Sequence, residues 1–150
     1  MILDFTKMHG LGNDYVYVDC FEQTVAEPRN LAIAISDRHF GVGADGVLQV
    51  GFDRMVTMGY WNADGSQAEM CGNGLRCVAR RAVDLGLVSE QAFQVSTPIG
   101  VKRVRVEDRT VSVDLGPVDV GDDLVIDDRT YRRIGVGNPH AVTRVDPDSI

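Results

Sequence analysis

Apolar and polar positions alternate in short runs along most of the chain, and the alternation is interrupted by glycine-rich turns and by segments with helical spacing. Residues 2–8 and 14–20 alternate as strands with one buried face do. Between them Gly10-Leu11-Gly12-Asn13-Asp14 has the composition of a turn. Pro28 suits the first helical position, where its missing N–H is not needed, and Leu31, Ile33, Ala34 and Ile35 give an apolar side to a helix through about Arg38. Gly41-Val42-Gly43-Ala44-Asp45-Gly46 then breaks the chain before a strand at 47–51. A further strand at 54–61 ends in the turn Asn62-Ala63-Asp64-Gly65-Ser66. After Cys71-Gly72-Asn73-Gly74, the residues Leu75, Val78, Ala79, Ala82, Val83 and Leu85 recur at helical spacing, and Gly86 stands where a left-handed residue closes a helix. From residue 91 the pattern is almost entirely β, with strands predicted at 92–96, 99–107, 110–115, 123–126, 129–136 and 140–145. This is an α+β chain. Gly116-Pro117 marks a boundary between a first domain, 1–116, and the opening strands of a second, 117–150.

Composition narrows the classes of function. The 150 residues are 44% hydrophobic and 25% charged, as in a soluble globular protein, and the net charge is −7. A protein that grips nucleic acid needs a concentrated positive field. Here the densest basic group, Lys102, Arg103 and Arg105, alternates along a predicted strand. The start of the chain lacks the charged segment and apolar run of a secretory leader. The apolar stretch at 31–35 is far shorter than the roughly 20 residues that span a bilayer. Three cysteines, an odd number, argue against a disulfide framework. These features point to a cytoplasmic protein with reduced thiols, without a nucleic-acid or membrane partner.

Some segments invite a chemical reading. Gly41, Gly43 and Gly46 match the spacing of a dinucleotide fingerprint, but that motif follows a strand and opens a helix. Here a helix precedes and a strand follows, so these read as turn glycines. His9, His39 and His140 with Cys20, Cys71 and Cys77 contain no zinc-type spacing, and no metal is expected. Cys20, on a strand, and Cys77, inside a helix, read as small buried hydrophobes. Cys71 differs because it precedes a helix whose first residues are Gly72, Asn73 and Gly74. A helix start exposes unpaired N–H groups and a partial positive charge. That field stabilises an anion by up to ~2 kcal/mol in a favourable site and so favours the reactive thiolate, while burial opposes it. The same N–H groups can hold a carboxylate. On these grounds a reactive and a structural Cys71 both remain open. Asn13, Asn62 and Asn138 each sit in a loop with Gly or Pro, where turn formation alone would account for an asparagine.

Taken together, these segments resemble diaminopimelate epimerases. Lys7-Met8-His9-Gly10-Leu11-Gly12-Asn13-Asp14-Tyr15, the stretch from Asp37-Arg38 to Asp45, the stretch from Asn62-Ala63-Asp64-Gly65-Ser66 through Met70-Cys71-Gly72-Asn73-Gly74 to Arg76-Cys77, and Gly137-Asn138-Pro139-His140 occur in the family's order. The resemblance implies a strongly curved, barrel-like β-sheet wrapped around a central helix, the first of two pseudo-symmetric domains. It implies an isomerase that needs no pyridoxal phosphate or other cofactor and interconverts LL- and meso-diaminopimelate for lysine biosynthesis. Two cysteines act as acid and base on opposite faces of the substrate α-carbon, and Cys71 matches one of them. Gly72 and Asn73 match the cradle for the substrate α-carboxylate, Asn13, Asn62 and Asn138 match polar substrate ligands, and His140 matches a histidine that supports activity. Gly46 falls where some relatives carry a substrate-contacting glutamine, so it is left out of the binding set. The second cysteine belongs to a carboxy-terminal domain outside these 150 residues, and the chain alone is expected to be inactive. A homodimer is compatible with the family. A racemase of another amino acid, or a catalytically silent binding module, would carry the same segments.

Overall fold

The computed structural model describes residues 2–145 and divides into two compact units, Met1–Asp114 and Leu115–Ile150. The first unit holds β1 (Thr6–Gly10), β2 (Asn13–Asp19), α1 (Pro28–Ser36), β3 (Gly46–Phe52), β4 (Val56–Asn62), α2 (Gly72–Asp84), β5 (Ala92–Thr97), β6 (Gly100–Val106) and β7 (Val111–Val113). Its strands form one sheet in chain order. Neighbours are antiparallel except for β2–β3 and β4–β5, which are parallel. A parallel pair needs a crossover connection, and α1 and α2 are those connections.

The sheet is strongly curled. Helix α2 packs against β1 and β2 at one edge, β6 and β7 at the other, and β3 and β4 between them. Seven strands spaced ~4.8 Å apart would span roughly 29 Å if flat, whereas a helix is only about 10 Å across. Both edges can meet one helix only if the sheet wraps around it. The result is an α+β half-barrel with a central helix.

The two helices bury opposite faces. Tyr15 of β2, Leu48 of β3 and Met58 of β4 contact α2 or its cap. Val16, Val18 and Val47 pack with Ala32 of α1 on the other face. Four successive residues of β2, Tyr15 to Val18, are therefore fully buried. Alternation predicted one buried face; α1 covers the second. Each such Val or Leu contributes roughly 1.5–3 kcal/mol of burial.

Local chemistry sets the element ends. Helix α1 stops at Ser36, short of the expected Arg38, because the Asp37 carboxylate accepts the N–H groups of His39 at 2.7 Å and Phe40 at 2.8 Å and starts a turn. The glycine stretch that follows closes the helix. Val42 and Gly43 N–H donate to the Ile35 carbonyl at 2.9 and 3.0 Å, and Ala44 N–H donates to Ser36 at 3.0 Å. A Cβ on Gly41 would lie 2.5 Å from the Ala34 carbonyl oxygen, so only glycine passes there. These N–H groups serve helix carbonyls rather than a phosphate. At the end of α2, Gly86 (φ 69°) donates to Val83, and Leu87 donates to Ala82, both at 2.9 Å. This is the left-handed closure that Gly86 suggested.

The second unit holds β8 (Asp119–Ile126), β9 (Arg129–Gly135) and β10 (Pro139–Val142), antiparallel in the order β10-β9-β8. Asp127 and Asp128, at φ 48° and 61°, form the tight turn between β8 and β9. Strand β8 begins earlier than the expected residue 123, with a register shift between Val120 and Asp123.

Candidate active site

The register places the start of β2, the start of β3 and the end of β4 at one end of the sheet, since Tyr15 faces Gly46 and Gly46 faces Asn62. The mouth of α2 meets the sheet beside the start of β2. Cys71 is its N-cap residue, extended at φ −143° and ψ 102°, and its carbonyl already accepts Leu75 N–H at 2.8 Å. Its half-buried Sγ accepts a hydrogen bond from Gly74 N–H at 3.3 Å. It also lies 3.1 Å from the Tyr15 hydroxyl. Gly74 permits this seating: a Cβ there would meet Leu48 at 2.9 Å and Met58 at 3.2 Å. The thiol thus stands at the positive end of a 13-residue helix with no acidic residue in its first turn.

Asn73, in the first turn of α2, donates from Nδ2 to Asn13 Oδ1 at 2.6 Å. Asn13 Nδ2 donates to Asp45 Oδ2 at 3.1 Å, and Arg76 donates to Asn73 Oδ1. Asp45 also accepts the Asp14 N–H at 3.1 Å and an Arg38 Nη2 bond at 2.9 Å. Arg38 further bonds both oxygens of Asp14, which Lys7 approaches to 2.8 Å. Burial of Asp14 would favour its neutral form, but hydrogen bonding to Arg38, seconded by Lys7, holds its carboxyl well below the usual carboxylate range. An ion-pair network therefore fixes the loop after α1 against the β1–β2 hairpin, and through Asp45 it orients Asn13 and Asn73. At Gly10 a Cβ would lie 2.9 Å from the Asn73 carbonyl oxygen, so that hairpin closes directly on the helix start.

Asn62 ends β4 and donates to Ser66 Oγ at 2.9 Å, while its own N–H donates to Ser66 O at 2.8 Å. Asp64 Oδ1 accepts both Ser66 N–H, at 2.8 Å, and Ser66 Oγ–H, at 2.6 Å, which pins the turn. Gly46 has no room for a side chain. A Cβ would lie 2.3 Å from the Trp61 carbonyl oxygen and 2.5 Å from the Tyr60 ring, so Tyr60 fills the space that a longer residue at 46 would need.

The structure brings Cys71, Gly72, Asn73 and Asn13 together, with Asn62 on the same end of the sheet. Asn138 and His140 belong to the second unit. There His140 Nε2 lies 3.0 Å from Asn138 Oδ1 on the exposed β9–β10 connection. The other cysteines are poorly suited to reaction: burial pushes the Cys20 thiol up, and burial first, then Cys71, push Cys77 up to about 11. Among the described residues no group of three His, Cys, Asp or Glu side chains could hold a metal ion, and no helix is long and apolar enough to cross a membrane. Pattern reading missed Tyr15, Asp45 and Arg38 as parts of the site. Each acts through partners distant in sequence.

The half-barrel on a central helix occurs in other solved structures. A hydroxyproline epimerase from Agrobacterium vitis superposes with a TM-score of 0.55 at 12% identity, over 87% of this chain and 47% of that one. A phenazine biosynthesis PhzF-family protein from Enterococcus faecalis gives 0.55 at 14% identity, over 67% and 36%. These likenesses establish the fold. A family profile described as diaminopimelate epimerase matches residues 5–120. Proteins named diaminopimelate epimerase from Acetivibrio thermocellus and Agathobacter rectalis are each 42% identical, over 94% and 96% of this chain. The chain belongs to the diaminopimelate epimerase family. It spans about three-fifths of the length of these relatives, 59% and 61%.

Proposed function

We propose that this chain carries one half of the site of a diaminopimelate epimerase, with Cys71 as one of two thiols that exchange a proton with the substrate α-carbon. As thiolate, Cys71 Sγ takes the α-proton from one face; as thiol, it returns a proton in the reverse direction. The second thiol serves the opposite face and comes from outside this chain, since Cys77 is buried inside α2 and Cys20 lies on the other face of the sheet, packed with the α1 cluster. Gly72 and Asn73 N–H groups at the helix start hold the α-carboxylate. Asn13, Asn62 and Asn138 take the substrate's polar groups, and His140 supports them. Removing a proton next to a carboxylate builds negative charge, and fixed donors in a site closed to water are worth far more than the same donors in water. The enzyme acts in lysine biosynthesis, in the cytoplasm, without a cofactor.

The observation that carries this reading is the Cys71 thiol at the N-cap of α2, its Sγ bonded by Gly74 N–H, in a chain that belongs to this family. Inverting a stereocentre needs groups on both faces, and one thiol reaches one face. These 150 residues alone are therefore expected to give no measurable turnover. Adding the carboxy-terminal part of a relative restores some turnover. Chiral separation of LL- and meso-diaminopimelate after long incubation tests this. Turnover by the short chain that is unaffected by dilution would contradict it, and turnover that collapses on dilution would point to two copies sharing a site. Turnover with a different amino acid only would transfer the mechanism to a racemase.

A further inference from the structure

The contact between Tyr15 and Cys71 has a use beyond packing. We infer that Tyr15 is a positioning residue for the thiol, its buried O–H donating to Cys71 Sγ so that, with Gly74 N–H, it holds the thiolate in one orientation. The inference rests on the proposed role of Cys71 and deepens it.

Tyr15 is fully buried on β2, and Sγ at 3.1 Å is the hydroxyl's hydrogen-bond partner. A buried phenol with a single partner gives that partner an O–H directed by the fold. The ring stands edge-on to Tyr60, with centroids 5.7 Å apart and planes at 84°. Strand register fixes both rings, because β3 places Gly46 between Tyr15 and the β4 end that carries Tyr60.

The electrostatics keep Tyr15 a donor. Burial first, then the neighbouring thiol, raise its phenol far above the ordinary range, so the hydroxyl keeps its proton. The titratable groups facing Cys71 are Tyr15 from β2, Tyr60 from β4 and Cys77 from α2 itself. Burial raises all three, Cys77 to about 11. A hydrogen bond to an ionised acceptor is about twice as strong as a neutral one. Tyr15 therefore favours thiolate over thiol.

The test needs no substrate, so it stands apart from the epimerase reading. The rate of Cys71 alkylation by iodoacetamide is followed against pH by peptide mapping of the whole chain. Tyr15→Phe, checked for folding by thermal melting, is expected to raise the midpoint of that profile by about one pH unit. Tyr60→Phe, which removes a hydroxyl whose partner is the Asp45 carbonyl at 3.3 Å, leaves it in place. Fluorotyrosine incorporated in the Tyr60→Phe background strengthens the Tyr15 donor and lowers the midpoint, and it decides the matter if Tyr15→Phe does not fold. An unchanged midpoint in folded Tyr15→Phe, equal shifts in both phenylalanine variants, or no response to fluorotyrosine would overturn the inference. A moved midpoint in a protein whose completed form exchanges no α-proton would leave it standing and remove the epimerase reading instead.

Discussion

The first and second units of this chain use the same strand chemistry to different effect. In the first, both faces of β2 and β3 are covered by helices, and Tyr15, Val16, Tyr17, Val18, Val47 and Leu48 are all 0% exposed. In the second, a three-stranded sheet leaves Val120 58%, Val125 73% and Val142 50% exposed. Three strands reach independent stability only when they bury an apolar face against something. Cys71, Asn13 and Asn73 thus belong to a unit whose sheet is buried on both faces, while Asn138 and His140 belong to one whose described strands carry exposed apolar side chains.

Hydrogen exchange should expose the largest difference. Amides of β2 and β3 open only with the whole first unit, whereas those of β8 and β10 open locally, so rates are expected to differ by roughly 10³-fold or more. Equal protection in the two sheets would erase the contrast. A matched pair of substitutions sharpens it. Gly46→Ala drives a Cβ into the Trp61 carbonyl and the Tyr60 ring and should cost about 1–3 kcal/mol by overpacking. Gly121→Ala meets only the guanidinium end of Arg133, a flexible group that can move aside, and should be near neutral. Denaturant melts of both variants check this, and a Gly121 loss as large as the Gly46 loss would break the comparison.

The smallest expected effect is on pH. Asp14 is depressed below its ordinary value of 3.8, chiefly by Arg38. Its pairing therefore contributes stability that is complete above about pH 4 and is lost as pH falls from there through the folded value. Melting temperature between pH 6 and pH 2 should fall less steeply in Asp14→Asn than in the parent, from a lower start. Parallel slopes would show that the ion pair stabilises nothing.

Residues whose chemistry is local were legible in the sequence. Pro28 opens α1, Gly86 closes α2, and Cys71 caps the helix that its apolar spacing announced. Long-range packing was not legible. Nothing near β2 signals that α1 will cover its outer face, nor that Asn73 will bond Asn13 sixty positions away. The expected strand at 2–8 became β1 at Thr6–Gly10, because Leu3 packs on the outer core and Asp4 exchanges hydrogen bonds with Gln23 instead of a strand partner. The Tyr15 hydroxyl acquires meaning only once α2 brings Cys71 to it.

The central claim is that Cys71, and no other cysteine here, works on the substrate. Its most direct test is α-proton exchange of diaminopimelate in deuterated water, using this chain completed with the carboxy-terminal part of a relative. Cys71→Ala should lower exchange by at least about 10³-fold. Cys77→Ala should leave the rate within a few-fold while costing about 1 kcal/mol of stability from the small cavity left in α2. Equal losses of exchange in the two variants, or full exchange in Cys71→Ala, would contradict the assignment.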